Sequence, residues 1–128
     1  MRHRINKLTQ LNTWAKTKNV FVRNLLSSFV KNGRIVTTPK RAKVLKAEAD
    51  AFFAKLVRTY NRYPDQNEAK RECINIVKAE IFGEEEWKKV INVLLPKYVA
   101  EKNNSFVASY KMWFRKGDAA EQVMLKLL

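Results

Sequence analysis

Hydrophobic positions change their period along this chain. From Thr13 to Lys31 they recur at helical spacing, with Trp14, Phe21, Val22, Leu25 and Phe29 on one face and Lys16, Arg23, Ser27 and Lys31 on the opposite one. Asn32-Gly33 ends this helix, because glycine accepts the left-handed conformation that follows a last turn. Arg34–Thr37 reads Arg-Ile-Val-Thr, a short extended connector rich in β-branched residues. Thr38-Pro39 then starts a second helix: the hydroxyl can cap free N–H groups, and proline suits the first helical position. That helix is expected to run to about Tyr60, with Leu45, Ala49, Phe52, Phe53, Leu56 and Tyr60 facing inward.

The stretch from Asn61 to Pro64 breaks it, and Asp65 with Glu68 forms a capping-box-like start for a third helix carrying Ile74, Val77 and Ile81. Gly83 ends the third. Glu84, Glu85 and Glu86 open a fourth, where negative charge suits the helix dipole; Trp87, Ile91 and Leu94 supply its buried face, and Pro96 breaks or kinks it. Beyond Asn103-Asn104 the period falls toward two. Strands are predicted from Phe106 to Phe114 and from Glu121 to Leu128, around a loop containing Lys116-Gly117-Asp118, with Val123, Leu125 and Leu127 on one face. Residues 1–12 carry neither period and read as an extended basic arm. The predicted fold is therefore α+β: helices followed by a C-terminal antiparallel β-hairpin, in two layers, forming one domain over residues 13–128 behind the arm.

Charge sharpens this picture. The net charge of +14 is not spread evenly: the first acidic residue is Glu48, and the 47 residues before it hold twelve Lys or Arg, so +12 of the total lies in the first third. Solvated faces normally mix both signs, whereas a one-sign segment attracts a polyanion, each neutralised phosphate releasing a condensed counterion.

The side chains offer little for catalysis. Cys73 is the only cysteine and reads as a small buried apolar residue, so neither a disulfide within the chain nor a cysteine zinc site can form. His3 is the only histidine, which excludes multi-histidine metal sites and a Ser-His-Asp triad on a rigid scaffold. Glycines occur only at 33, 83 and 117, too scattered for a phosphate-cradling loop. The expectation is a protein that is not an enzyme, with no cofactor and no small-molecule substrate. No apolar run is long enough to span a membrane.

Nucleic-acid binding gives each basic segment a role. In the arm, Arg2 and Arg4 can each hold two phosphate oxygens, with His3 and Lys7 beside them. Lys16, Lys18 and Arg23 on the first helix, Arg34 and Thr37 on the connector, and Lys40, Arg41, Lys43 and Lys46 on the second helix extend the candidate RNA-binding set. Arg115 and Lys116 in the hairpin loop complete it. Trp14 and Trp87 are expected in the core, and Met112 and Met124 as core gap-fillers. For Trp113 and Phe114 the expected role is packing against a helix, with base stacking the alternative.

Several short motifs point to a family. The opening Met-Arg-His-Arg, then Arg23-Asn24-Leu25, Ser28, Gly33-Arg34-Ile35, Thr37-Thr38 and Ala42-Lys43, follow in order and spacing the pattern of the bacterial large-subunit ribosomal protein seventeen family, and Asn103 with Arg115-Lys116-Gly117-Asp118-Ala119-Ala120 resembles its final hairpin. Residues 50–95 resemble it in pattern and length only. Departures are visible: Asn104-Ser105-Phe106-Val107-Ala108 stands where the family usually shows Gly-Gly-Tyr-Thr-Arg, so an RNA contact there is not carried over. Ala15-Lys16-Thr17-Lys18 stands for Ser-Ser-His-Arg, and Glu121-Gln122 for Pro-Met.

The resemblance implies an α+β domain on the cytoplasmic large ribosomal subunit, bound to ribosomal RNA and neighbouring ribosomal proteins near the nascent-chain tunnel exit. Because it begins at residue 1, it also implies that the basic amino terminus belongs to the mature protein instead of being a transit peptide. Two rivals follow from the charge alone. A DNA-binding or nucleoid-associated protein could use the second helix as a reader, although tight helix-turn-helix spacing and obvious Asn or Gln base readers are missing. The first helix could also lie on an anionic membrane surface.

Overall fold

The structure, a computed structural model, describes residues 18–102 and 104–128. The basic arm, Trp14, Lys16, the predicted helix start at Thr13 and Asn103 lie outside the described residues. The elements are α1 (Lys18–Asn32), β1 (Arg34–Thr37), α2 (Pro39–Arg62), α3 (Gln66–Glu80), α4 (Glu84–Lys89), a π-helical turn (Val90–Leu94), α5 (Leu95–Glu101), β2 (Val107–Met112) and β3 (Gln122–Leu127). The α+β fold read from the sequence is the one observed.

The connector is more than a connector. β1 pairs antiparallel with β3, Ile35 opposite Leu125 and Thr37 opposite Val123, while β2 flanks the other side of β3 with Ser109 opposite Leu125 and Lys111 opposite Val123. The sheet order is β1-β3-β2, so the last strand is central. Four residues of alternating burial are too short to announce a strand when their partner lies far along the chain.

α2 is the structural axis. Its inward stripe of Ala42, Leu45, Ala49, Phe52, Phe53 and Leu56 is buried, and it touches α1, α3, α5 and all three strands. Phe53, Tyr98 and Phe106 form the aromatic centre, their rings meeting at tilted or edge-on angles with centroids 4.9–5.9 Å apart. Cys73 is fully buried in the same core, and its thiol is held above the ordinary cysteine range chiefly by burial.

The caps mostly follow their sequence signals. Gly33, at φ +72°, donates its N–H to the Phe29 carbonyl and turns the chain from α1 into β1. Asp65 caps α3 by accepting the N–H of Asn67 at 3.0 Å. Thr38 takes the N-cap position of α2 without a side-chain cap bond. Pro96 neither ends nor sharply breaks its helix. Having no N–H, it sits in the first turn of α5, and the preceding turn widens so that Leu95 donates to Val90, five residues back.

Several predicted faces need correction. Ser27, placed on the polar side of α1, is buried, and Leu26 and Val30 join Phe29 in the core, while Phe21, Val22 and Leu25 are only half-buried. The cause is that α1 is covered on two sides, by α2 and by the α3–α4 region: Ser27 Oγ donates to the Arg23 carbonyl and accepts the Phe82 N–H, both at 2.8 Å. Trp87 is half-buried, with the ammonium groups of Lys78 and Lys88 near its ring. Trp113, Phe114 and Met112, expected inside, are exposed because β2 outruns the helical layer, and Met124 is half-buried.

Candidate nucleic-acid interface

Where β2 leaves the shelter of the helices, the sheet and the start of α2 diverge and a groove opens. Its volume is about 770 Å³, and Pro39, Ala42, Val123 and Leu125 give it an apolar floor. Its polar lining comes from Lys40, Lys43 and Lys46 of α2 and from Ser109 and Lys111 of β2. Helical geometry explains the first set, since residues three apart project along one side of α2 while Ala42 and Leu45 turn to the core. Strand pleat and register explain the second: Lys111 and Ser109 share a sheet face with Val123 and Leu125, and Thr37 ends the row of Val123 and Lys111. Among the described residues, no carboxylate lines this groove.

Electrostatically the arrangement is one-sided. The first turn of α2 contains no acidic residue, so Lys40 and Arg41 face the positive end of the helix dipole, a placement that costs stability. Cross-strand neighbours Arg34 and Lys126 are both exposed, another like-charge contact. A second hollow, of about 300 Å³, is bordered by Arg34, Lys97 and Lys126. Lys89 also borders it, but its ammonium caps the end of α1, donating to the Val30 and Lys31 carbonyls at 2.8 and 3.0 Å.

The structure thus gathers Lys40, Lys43 and Lys46 around one groove, sets Thr37 opposite Val123 at its side, and disperses the other candidates. Arg41 lies with its guanidinium 5.1 Å from the centre of the Phe21 ring. Arg23 does not stand on an open basic face: it is half-buried, its guanidinium 4.0 Å above the Phe82 ring, and it lines small clefts with Glu48 and Glu80. Arg115 is bound to Asp118, whose carboxylate takes two guanidinium hydrogen bonds and the Ala120 N–H. These partners pull the Asp118 carboxyl down to about 2 and push Arg115 up. Lys116 is exposed beside that pair. The backbone of Lys18 opens α1, while Arg2, His3, Arg4, Lys7 and Lys16 fall outside the described residues.

Lys111, Lys97 and Lys126 lie outside the charge-rich first third and so escape a reading based on charge density. The alternation of β2 and β3 does place Lys111 and Lys126 on definite faces, but only the strand register brings Lys111 opposite Val123, within reach of α2. The second helix packs one face on three helices and the sheet and leaves Lys40, Arg41, Lys43, Glu48, Lys55 and Arg58 exposed on the other, where acidic Glu48 interrupts the basic run. Nothing in this arrangement supports a DNA-reading role. Among the described residues, no helix is long and apolar enough to cross a membrane.

Comparison with known proteins adds an independent line. The family described as Ribosomal protein L17 matches residues 21–128. A Fervidobacterium nodosum relative, named Large ribosomal subunit protein bL17, is 32% identical over 132 residues, covering 100% of this chain and 99% of its own length. Relatives of the same name from Clostridium acetobutylicum and Clostridium kluyveri are 34% and 35% identical over 111 residues, with 87% of this chain and 88% of each relative covered.

Proposed function

Because this chain belongs to the Ribosomal protein L17 family and is a structural constituent of the large ribosomal subunit, we propose that it binds and stabilises folded ribosomal RNA through the groove between α2 and the sheet. The carrying observation is the convergence of Lys40, Lys43, Lys46 and Lys111 on one acid-free groove. Four ammonium groups around a shallow channel suit a phosphate backbone, which they hold as point charges without reading sequence. The basic arm, with Arg2, His3, Arg4 and Lys7, adds further phosphate contacts, as do Arg34 on the edge strand β1 and its cross-strand neighbour Lys126. Arg23 has a packing role instead. The protein works without catalysis, in the cytoplasm, beside neighbouring ribosomal proteins. The family resemblance supports a position near the tunnel exit.

The test is equilibrium binding of the full chain to protein-free large-subunit ribosomal RNA across a salt series. Changing Lys40, Lys43, Lys46 and Lys111 together to Ala leaves the fold essentially intact, since three of these lysines are exposed and Lys46 is half-buried, and surface charges contribute little to stability. It lowers affinity and flattens the log–log salt slope by about 0.7–0.9 for each phosphate that is no longer neutralised. An unchanged slope with a folded variant overturns the assignment of the groove.

A further inference from the structure

The hairpin beyond the groove carries a second feature. From Tyr110 to Lys116 the chain reads Tyr-Lys-Met-Trp-Phe-Arg-Lys, and every one of these side chains is exposed. Trp113 is 88% exposed, Phe114 59% and Tyr110 50%. A single exposed aromatic is ordinary; three within five residues on one projecting hairpin form a patch that water solvates poorly.

Resting on the RNA-binding reading, we propose that this hairpin tip is a stacking platform for unpaired ribosomal RNA bases, Trp113 and Phe114 offering the ring faces and Lys111 and Lys116 the phosphate contacts. Three observations select RNA over a protein partner. First, the tip is predominantly basic: Lys102, Lys111, Arg115 and Lys116 fall between residues 102 and 117 with no acidic residue among them, and the carboxylate that follows, Asp118, is turned onto Arg115. Second, the tip adjoins the basic groove, since Lys111 lines that groove and lies only two residues from Trp113. Third, the tip is built to hold its shape. Arg115 donates its N–H to the Ala120 carbonyl at 2.8 Å, Ala119 donates back to Arg115 at 2.9 Å, and the Arg115–Asp118 ion pair closes the turn. Ala119, at φ +54°, takes the left-handed conformation the turn demands. A rigid tip loses little conformational entropy when a base stacks on it.

Asp118 also occupies the Arg115 guanidinium, which leaves Lys111 and Lys116 as the tip's cations for phosphate. Groove and tip then divide the work: the lysines of the groove track backbone, and the rings accept bases that have left their helix, the form in which RNA exposes its faces.

The experiment uses the full chain and two probes: a mixed-sequence single-stranded RNA of roughly 15 nucleotides, and the same strand annealed to its complement. Trp113→Ala with Phe114→Ala weakens single-strand binding about tenfold or more, scarcely changes duplex binding, and leaves the salt slope as it was, because every phosphate keeps its cation. Trp113→Tyr with Phe114→Tyr restores binding. On intact large subunits, ultraviolet crosslinking attaches a ribosomal RNA nucleotide to residues 110–116. Unaltered single-strand affinity in the double alanine variant, or tip crosslinks to a neighbouring ribosomal protein alone, overturns the proposal. The groove reading is judged separately by the salt slope of a Lys40, Lys43 and Lys46 variant that leaves the shared Lys111 in place, so either assignment can fail while the other stands.

Discussion

The carboxylate of Asp50, midway along α2, accepts the backbone N–H of Phe106 at 2.9 Å, joining residues 56 positions apart. The Phe106 carbonyl in turn accepts the Leu128 N–H at 3.0 Å, so both backbone groups of this buried residue are satisfied just before β2 begins. One side chain of the axial helix therefore fixes where the sheet's outer strand departs, and with it the position of Ser109 and Lys111 in the groove.

Removing that acceptor leaves a buried donor unpaired. Asp50→Ala is expected to cost about 1–3 kcal/mol in urea unfolding, and Asp50→Asn, which keeps an acceptor oxygen, less.

Tyr98 carries a cost of the opposite kind. Its hydroxyl is buried with no hydrogen-bond partner, and burial, aided by the Glu101 and Asp50 carboxylates, pushes the phenol up to about 12. Tyr98→Phe should be neutral or stabilising by about 1 kcal/mol. A folded-state value raised above the unfolded one means stability is intact below about pH 10 and is lost as pH climbs toward 12. Thermal melts across that window should show the loss from Tyr98 in the parent chain and lack it in the Phe variant.

Arg23 separates packing from RNA contact. Arg23→Ala removes the stack on Phe82 and the half-buried aliphatic stem, for a penalty of about 1–2 kcal/mol. The salt slope of RNA binding should not move. A flattened slope with unchanged stability would return Arg23 to the phosphate-binding set.

The Arg115–Asp118 pair is open to titration. With the Asp118 carboxyl lowered to about 2, the pair is fully formed above roughly pH 4 and is released as pH falls toward 2. Carbon-13 titration of the Asp118 carboxyl should show a midpoint near 2 that rises toward roughly 4 in Arg115→Ala. A midpoint indifferent to Arg115 would mean that the tip is not held by this contact.

The helical elements can be read from the sequence because each carries its own period and punctuation. Asp65 and Gly33 act locally and do what their residue types suggest. Ser27 cannot be placed that way, since its burial depends on Phe82, which arrives 55 residues later. Strand β1 is hidden for the same reason, its partner being β3. The candidate interface divides likewise. Lys40, Lys43 and Lys46 follow from one helix, whereas Lys111 requires a strand register that alternation does not specify. Trp113 is expected inside because aromatic residues usually end in cores. Only the end of the helical layer beyond β2 shows it bare.

The placement of β3 at the centre of the sheet bears on how the protein is made. Of the described strands it is the last to leave the ribosome that synthesises the chain, yet it supplies every pairing that β1 and β2 possess. While Gln122–Leu127 remains within the synthesising particle, β1 and β2 are two unpaired edges that do not hydrogen-bond to each other. A chain stopped before this strand would expose both edges together with Phe106 and Val107, a form prone to aggregate and open to proteases. The sheet therefore forms only after Gln122–Leu127 is available, and its closure is a late event in the folding of the chain.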